Sequence, residues 1–84
     1  MKELSKKILI VEDELIIALM IERMVLNLGH TVVAKVTTGE AAVEAAKEHD
    51  PDIILIDIRL QSEMDGIEAM LLIQKIANIP VIYI

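Results

Sequence analysis

An 84-residue chain is long enough for one small domain at most, because ordinary domains have about 100–150 residues. Its hydrophobic content of 55% excludes an intrinsically disordered chain, which cannot bury enough apolar surface to fold. With 8 basic and 14 acidic residues the net charge is −6, which argues against direct binding to a nucleic-acid backbone and favours a divalent cation or a basic partner surface.

Predicted strands and helices alternate along the chain. Short apolar or β-branched runs predict the strands, and segments of helix formers between capping residues and breakers predict the helices. In chain order the elements are strand Lys7–Val11, helix Leu15–Leu28, strand Thr31–Val36, helix Thr37–Glu48, strand Asp52–Asp57, helix Asp65–Ala77 and strand Val81–Ile84. This alternation predicts an α/β fold, with a parallel sheet and helices on both of its faces.

Three helix ends carry capping signals. Gly29 follows the first helix, and a glycine at that position commonly ends a helix. Thr37 and Glu40 have the spacing of a capping box at the start of the second helix. Asp65 and Glu68 repeat that spacing at the start of the third helix. We therefore expect reciprocal hydrogen bonds between side chain and backbone at both starts.

The strands differ in polarity, which predicts where each lies in the sheet. Ile8–Val11, Ile53–Ile56 and Val81–Ile84 are continuously apolar, as in strands that are buried on both faces. Thr31–Val36 contains Thr and Lys and is predicted to lie at the sheet edge. The last strand has the composition of an interior strand but no later segment to pair with it, so we expect a fold that is cut there. Tyr83, in this strand, is expected to be a core residue.

Carboxylates follow two of the apolar strands. Glu12 and Asp13 come after the first strand, and Asp57 ends the third. In an open parallel sheet, ligands bind beyond the carboxyl ends of the strands, where the strand order reverses. If the first and third strands are adjacent, the three carboxylates converge there. Such an oxygen-only trio suits Mg²⁺, and a carboxylate held beside Mg²⁺ is placed for phosphoryl transfer.

Each of these acidic residues also has a simpler interpretation. Asp13 alone could be the N-cap of the first helix, and Asp57 alone could be a solvated loop residue. Their joint occurrence after two apolar strands, with an Asp-Gly pair following, favours a functional site. His30 and His49 have no partner at ligand spacing and are predicted to be solvated surface residues.

Four motifs in this order resemble those of response-regulator receiver domains. They are Lys-Ile-Leu-Ile-Val-Glu-Asp-Glu at 7–14, Pro-Asp-Ile-Ile-Leu-Ile-Asp at 51–57, Met-Asp-Gly-Ile-Glu at 64–68 and Ile-Pro-Val-Ile-Tyr-Ile at 79–84. The resemblance covers essentially the whole chain. It implies a flavodoxin-like fold with strand order 2-1-3-4-5, in which the order 2-1-3-4 is present and the fifth strand and last two helices are missing.

The same resemblance implies roles for the site residues. Asp57 would be the phosphoacceptor, taking phosphate from a histidine kinase or a phosphotransfer protein. Asp13 would bind Mg²⁺ directly and Glu12 would often act through water. Asp57 itself and the backbone carbonyl of Arg59 would complete the protein ligands. The implied protein is not an enzyme, because its only chemistry is its own phosphorylation and dephosphorylation.

The chain departs from the family pattern in several respects. Its acidic pair is Glu-Asp rather than the commoner Asp-Asp, and the loop 58–64 lacks the frequent proline and is about one residue longer. The family places a Thr or Ser directly after the fourth strand and a Lys at the end of the fifth, beyond residue 84 of this sequence. Each βα unit takes about 24 residues and five need about 120, so we interpret residues 1–84 as the N-terminal two-thirds of one receiver domain.

Two other functions compete with the phosphoacceptor. A Mg²⁺-dependent phosphohydrolase would use Asp57 as its nucleophile, but such enzymes usually need a second aspartate two positions later, where this chain has Arg59. A phosphate-independent interaction domain would keep the fold only as a binding surface. The intact acidic cluster argues against it, whereas the lack of the family's Thr or Ser and Lys within residues 1–84 makes it the better description of this part taken alone.

The sequence also bears on compartment and partners. The absence of cysteine excludes disulfides and thiolate sites and suits a cytoplasmic protein. No stretch predicts a membrane span or an export signal, so we expect neither a membrane nor a nucleic acid as a direct partner. An unpaired fourth strand would offer its edge to another chain, and we expect self-association, as a dimer that pairs this strand or swaps elements.

Overall fold

Residues 5–84, which the computed structural model describes, form strands and helices in strict alternation. In chain order they are β1 (Lys7–Val11), α1 (Leu15–Asn27), β2 (Thr31–Val36), α2 (Gly39–His49), β3 (Ile53–Ile56), α3 (Gly66–Ile76) and β4 (Val81–Tyr83). The predicted α/β order is confirmed. Within this described part of the chain, every helix is too short or too polar to span a bilayer.

The four strands form one parallel sheet in the order β2-β1-β3-β4. β1 therefore lies inside the sheet, between β2 and β3, and its last residue, Val11, stands opposite Ile56 at the end of β3. This order confirms the arrangement 2-1-3-4. It also places the reversal of strand order between β1 and β3, which is where the sequence predicted that the carboxylates converge.

Alternate residues of β1 enter two separate cores, because successive side chains of a strand point to opposite faces of the sheet. Ile8 and Ile10 pack against Ile21 and Val25 of α1 on one face. A second, larger core lies with α2 and α3 on the other face and is made of Leu9, Val11, Ala42, Ala45, Ala46, Ile54, Ile56, Leu60, Ala69, Ile73 and Ile79. Helices on both faces are thus confirmed, and the three buried alanines of α2 allow this helix to lie close to the sheet.

Of the two outer strands of the described sheet, β2 is buried to the extent that the sequence predicted and β4 is more exposed. β2 is only partly buried, as predicted for an edge strand. β4 also lies at an edge, where Ile82, Tyr83 and Ile84 are 50%, 40% and 47% exposed. The prediction that Tyr83 is a core residue is therefore wrong. The reason is that, within residues 5–84, β4 has a neighbouring strand on one side only.

Of the two predicted capping boxes, the one at the start of α3 is present and the one at the start of α2 is not. Asp65 Oδ1 accepts the N–H of Glu68 at 2.9 Å and the Asp65 N–H reaches Glu68 Oε1 at 3.3 Å, so the predicted box at α3 is confirmed. At α2 the N-cap is Thr38, whose hydroxyl accepts the N–H of Ala41 at 3.0 Å. The predicted box of Thr37 and Glu40 is wrong, because Glu40 then occupies the second helical position and not the third, from which a side chain returns to the cap.

One histidine has a structural role that its sequence context did not indicate. His30 is half-buried, and its Nδ1 accepts the backbone N–H of Lys6 at 3.0 Å, which joins the start of β1 to the start of β2. The prediction of a solvated side chain is therefore wrong for His30. His49 is partly exposed and lies beside Glu48, with 3.7 Å between Nε2 and the carboxylate. Gly29 ends α1 with a φ of 90°, which confirms its predicted place after that helix.

Candidate functional site

Three carboxylates meet at the carboxyl edge of the sheet. Glu12 and Asp13 directly follow β1 and Asp57 directly follows β3, and these two strands are neighbours in register. One oxygen atom from each side chain lies within 4.8 Å of the others. The predicted convergence of the three groups is confirmed. It arises from the strand pairing, which brings together residues that are more than 40 positions apart in the sequence.

Each carboxylate is oriented by one backbone N–H. Glu12 Oε2 accepts the N–H of Glu14 at 3.0 Å. Asp57 Oδ1 accepts the N–H of Arg59 at 2.9 Å. Asp13 Oδ2 accepts the N–H of Gln61 at 3.1 Å. In every case a single oxygen accepts one bond, so each side chain keeps lone pairs that can bind a cation.

The simpler interpretations of the acidic residues do not describe the structure. The N-cap of α1 is Glu14, which makes no side-chain capping hydrogen bond, and Asp13 accepts instead from Gln61 on a distant loop. Asp57 is half-buried and its carboxylate is held by its own loop. The two aspartates thus lie together with Glu12 at the carboxyl edge between β1 and β3.

Glu12 is the buried member of the trio. It is only 4% exposed, and among the described residues it is the buried charged side chain. Burial raises its pKa above the ordinary value of 4.5, and the neighbouring charges of Asp57 and Asp13 act in the same direction, while the N–H of Glu14 opposes them. A carboxylate in this position favours either a bound proton or a cation beside it.

The segment between β3 and α3, residues 57–65, is named the β3–α3 loop here, and it forms one wall of the site. Leu60 anchors it, because this side chain is 5% exposed and belongs to the core beneath α2 and α3. Gly66 permits the return of the chain, since a Cβ at this residue would collide with the carbonyl oxygen of Asp57 and lie 2.7 Å from Ile58 Cα. The loop is therefore packed closely against the acidic residues that it supports.

A cleft of about 360 Å³ opens over the two aspartates of the site. Its lining residues are Asp13, Glu14, Ile17, Asp57, Arg59 and Gln61. Arg59 supplies the positive charge among them. The N–H of Arg59 holds Asp57, whereas its proposed use as a carbonyl ligand remains a prediction. Gln61 was not indicated by sequence reasoning; the unusual length of its loop was the signal that this region differs.

The donor set fits a hard divalent cation. All three groups offer carboxylate oxygen, they converge at one place, and one of them is buried with a raised pKa. Mg²⁺ prefers carboxylate oxygens and retains several waters, for which the open cleft has room. The residues present therefore suit Mg²⁺ on their chemistry.

Comparison with known proteins agrees with this geometry. Residues 8–84 match the family described as the response regulator receiver domain. The chemotaxis protein CheY of Bacillus subtilis is 41% identical over 73 residues, which are 87% of this chain and 60% of CheY. The phyllosphere-induced regulator PhyR of Methylorubrum extorquens is 39% identical over 83 residues, which are 98% of this chain and 31% of PhyR.

A solved structure shows the same fold. The anti-anti-sigma factor PhyR from Bartonella quintana, crystallised with the anti-sigma factor NepR, aligns with a TM-score of 0.90 at 39% identity. The alignment covers 98% of this chain and 34% of that one. The chain thus spans about 60% of the length of CheY and about a third of the length of PhyR.

Proposed function

The chain belongs to the response regulator receiver domain family, and from that premise we propose that it is the phosphoacceptor module of a two-component phosphorelay. Receiver domains are signalling modules and not enzymes. Asp57 would accept a phosphoryl group from a histidine kinase or a phosphotransfer protein. The observation that carries the proposal is the convergence of Glu12, Asp13 and Asp57 at the reversal point of the sheet.

The proposal gives a different task to each carboxylate oxygen of Asp57. Oδ1 is held by the N–H of Arg59, so Oδ2 would form the new P–O bond while the P–N bond of the donor phosphohistidine breaks and its imidazole leaves. Glu12, Asp13 and Asp57 would hold Mg²⁺, with Glu12 acting through water and the carbonyl of Arg59 as a further ligand. The bound cation supplies charge neutralisation during phosphoryl transfer.

The surface beside the site supports a protein as the donor. Leu15, Ile16 and Ile17 of α1 are 70%, 73% and 40% exposed, α1 begins two residues after Asp13, and Ile17 lines the cleft itself. Exposed apolar side chains grouped at the rim of a site are typical of a protein-binding surface. A partner that delivers phosphate to Asp57 has to contact this rim, so the exposed residues are consistent with docking of a kinase or phosphotransfer protein.

The proposal extends to the domain and its surroundings. Residues 1–84 would be the N-terminal two-thirds of a receiver domain, in agreement with the 60% coverage of CheY. The Thr or Ser and the Lys that the family uses at the phosphoryl group would then belong to the remaining third. We also retain the cytoplasmic location expected from the sequence.

Phosphorylation of the intact natural protein tests the proposal. Incubation with Mg²⁺ and a small phosphodonor should add the mass of one phosphoryl group, and Asp57→Asn should abolish this gain. Asp50→Asn is the matched control, because Asp50 is an exposed residue at the other end of α2 whose left-handed φ of 48° suits asparagine. An unchanged mass for the natural protein, or a mass gain that survives Asp57→Asn, would contradict the proposal.

A further inference from the structure

We propose that Ser62 is a positioning residue that orients Asp13 for cation binding, acting through the backbone of Gln61. The inference rests on the proposed function of the site, because it assumes that Asp13 binds a cation. Ser62 lies in the β3–α3 loop, and its hydroxyl connects this loop to the first residue of α2.

The hydroxyl of Ser62 makes two hydrogen bonds. It accepts the N–H of Gly39 at 3.1 Å and donates to the carbonyl oxygen of Met64 at 2.5 Å. The N–H of Gly39 is one of those at a helix start that have no partner within the helix, so Ser62 satisfies a donor that α2 leaves open. The same oxygen thus fixes the loop to α2 and closes the loop on itself.

The β3–α3 loop and the start of α2 are in close backbone contact. Gly39 is buried, and a Cβ at this position would collide with the carbonyl oxygen of Met64. This oxygen is also the one that accepts the hydrogen bond of the Ser62 hydroxyl. The glycine therefore permits an approach of the two backbones that a larger residue would prevent. The Ser62 hydroxyl connects the two backbones at this point.

Gln61 lies between two fixed neighbours. Leu60 on one side is buried in the core, and Ser62 on the other is held by its two hydrogen bonds. The peptide N–H of Gln61 consequently has a defined direction, and it donates to Asp13 Oδ2 at 3.1 Å. That bond leaves Asp13 Oδ1 for the space shared with Glu12 and Asp57.

This arrangement gives a physical reason for the unusual loop. The loop lacks a proline, which would restrict its backbone directly, and the bonds of Ser62 to Gly39 and Met64 supply the restriction instead. Removal of the hydroxyl would leave the Gln61 peptide free to rotate. Asp13 would then lose its orienting donor and sample orientations that bind a cation less well.

The test combines amide exchange with cation binding in the intact natural protein. Ser62→Ala should speed hydrogen exchange of the Gln61 amide, measured by NMR, while the Ile54 amide in the core keeps its exchange rate. Calorimetric titration with Mg²⁺ alone, without a phosphodonor, should show about threefold to tenfold weaker binding. That is less than the 10–100-fold loss typical of groups that hydrogen-bond directly to a metal-binding side chain, because Ser62 acts on Asp13 only through the backbone of Gln61.

Conservative variants separate positioning from a general effect on folding. Ser62→Thr keeps the hydroxyl and should restore both Gln61 protection and Mg²⁺ affinity. Thr37→Ala is the control, because Thr37 is an exposed hydroxyl on the same cleft as Ser62 and should change neither value. If Ser62→Ala does not fold, Ser62→Cys, which has similar size but forms weaker hydrogen bonds, should show the same changes to a smaller extent.

Two negative results have different meanings. Equal exchange of the Gln61 amide and equal Mg²⁺ affinity in the natural protein and in the Ser62 variants would overturn this inference and leave the proposed function intact. Absence of Mg²⁺ binding or of Asp57 phosphorylation in the natural protein would instead contradict the proposed function.

Discussion

Glu12 is the residue at which the requirements of the site and of folding oppose each other. It is buried at the end of β1 next to two other carboxylates, and its carboxylate accepts a hydrogen bond from the N–H of Glu14. A bound cation would remove this conflict, because it would neutralise the cluster. Without a cation, the burial of Glu12 costs stability whenever its side chain is charged.

This conflict predicts a pH dependence of stability in the metal-free protein. Since the pKa of Glu12 is raised in the folded state above the ordinary 4.5, the folded state binds more protons than the unfolded state above pH 4.5. Stability that is fully present below 4.5 is therefore lost as pH rises through the higher native pKa. Glu12→Gln should not show this loss and should be more stable than the natural protein at neutral pH, with the difference shrinking toward pH 4.5.

Urea unfolding at several pH values, with a chelator present, measures this effect as the free energy of unfolding. Glu14→Gln serves as the control, because it removes an exposed neighbouring carboxylate and leaves the buried Glu12 in place, so the loss of stability with rising pH should remain. The expectation fails if Glu12→Gln and the natural protein lose stability in parallel between pH 4.5 and 7.

At the scale of elements, the start of α3 links a helix cap to the functional site. Asp65 caps the helix through a reciprocal pair of bonds with Glu68, and the next residue, Gly66, lies against the backbone of Asp57. The helix start thus supports the backbone from which the proposed phosphoacceptor projects. Substitutions at Asp65 and Gly66 separate the effect of the capping bond from that of the close contact with the Asp57 backbone.

Asp65→Ala removes the acceptor of the capping box and should lower the free energy of unfolding by about 1 kcal/mol, the usual loss for an N-cap. Asp65→Asn should cost little, because asparagine is an equally good N-cap residue. Chemical denaturation of both variants checks this expectation. An equal loss for alanine and asparagine would show that the charge matters and the capping bond does not.

Gly66→Ala should be more damaging, by about 1–3 kcal/mol, because the new Cβ meets backbone atoms of Asp57 and Ile58 that cannot move aside as a side chain can. The same change should slow phosphorylation of Asp57, since the carboxylate moves with its backbone. Gly29→Ala is a useful comparison, because the space around Gly29 is open and only its φ of 90° is unfavourable for alanine. Its loss of stability should leave the phosphorylation rate unchanged.

At the scale of the whole molecule, the two faces of the sheet are covered unequally. The face that carries α2 and α3 holds the larger core, whereas the other face is covered by α1 alone within residues 5–84. Beside α1, a groove of about 440 Å³ runs between this helix and the end of β4. Apolar side chains dominate its lining, which consists of Glu12, Ile17, Met20, Ile21, Met24, Asp57, Arg59 and Ile84.

We expect the polypeptide of residues 1–84 to self-associate through β4. Its outer edge has open backbone hydrogen-bonding groups within the described sheet, and Ile82 next to them is 50% exposed. Ile82→Lys should shift the population toward monomer in light scattering, because a lysine on an edge strand opposes pairing. Leu19→Lys, which alters a similarly exposed residue on α1, should have a much smaller effect. A folded monomer at high concentration would contradict the expectation.

The sequence by itself determined the order of the elements, the two capping residues of α3 and the identity of the three carboxylates. These features depend on interactions between residues a few positions apart, or on the period of apolar side chains along a single segment. Together with the resemblance to receiver domains, they were sufficient to predict the strand order and the place where Glu12, Asp13 and Asp57 meet.

Only the tertiary structure decided which groups hold these carboxylates and which surfaces stay exposed. The bond from Gln61 to Asp13 joins residues 48 positions apart, and that from Gly39 to Ser62 joins residues 23 positions apart. The exposure of Tyr83 likewise depends on which elements flank β4 and not on its apolar neighbours in the sequence. Such contacts form only when separate segments pack, and no local pattern specifies the partner that packing selects.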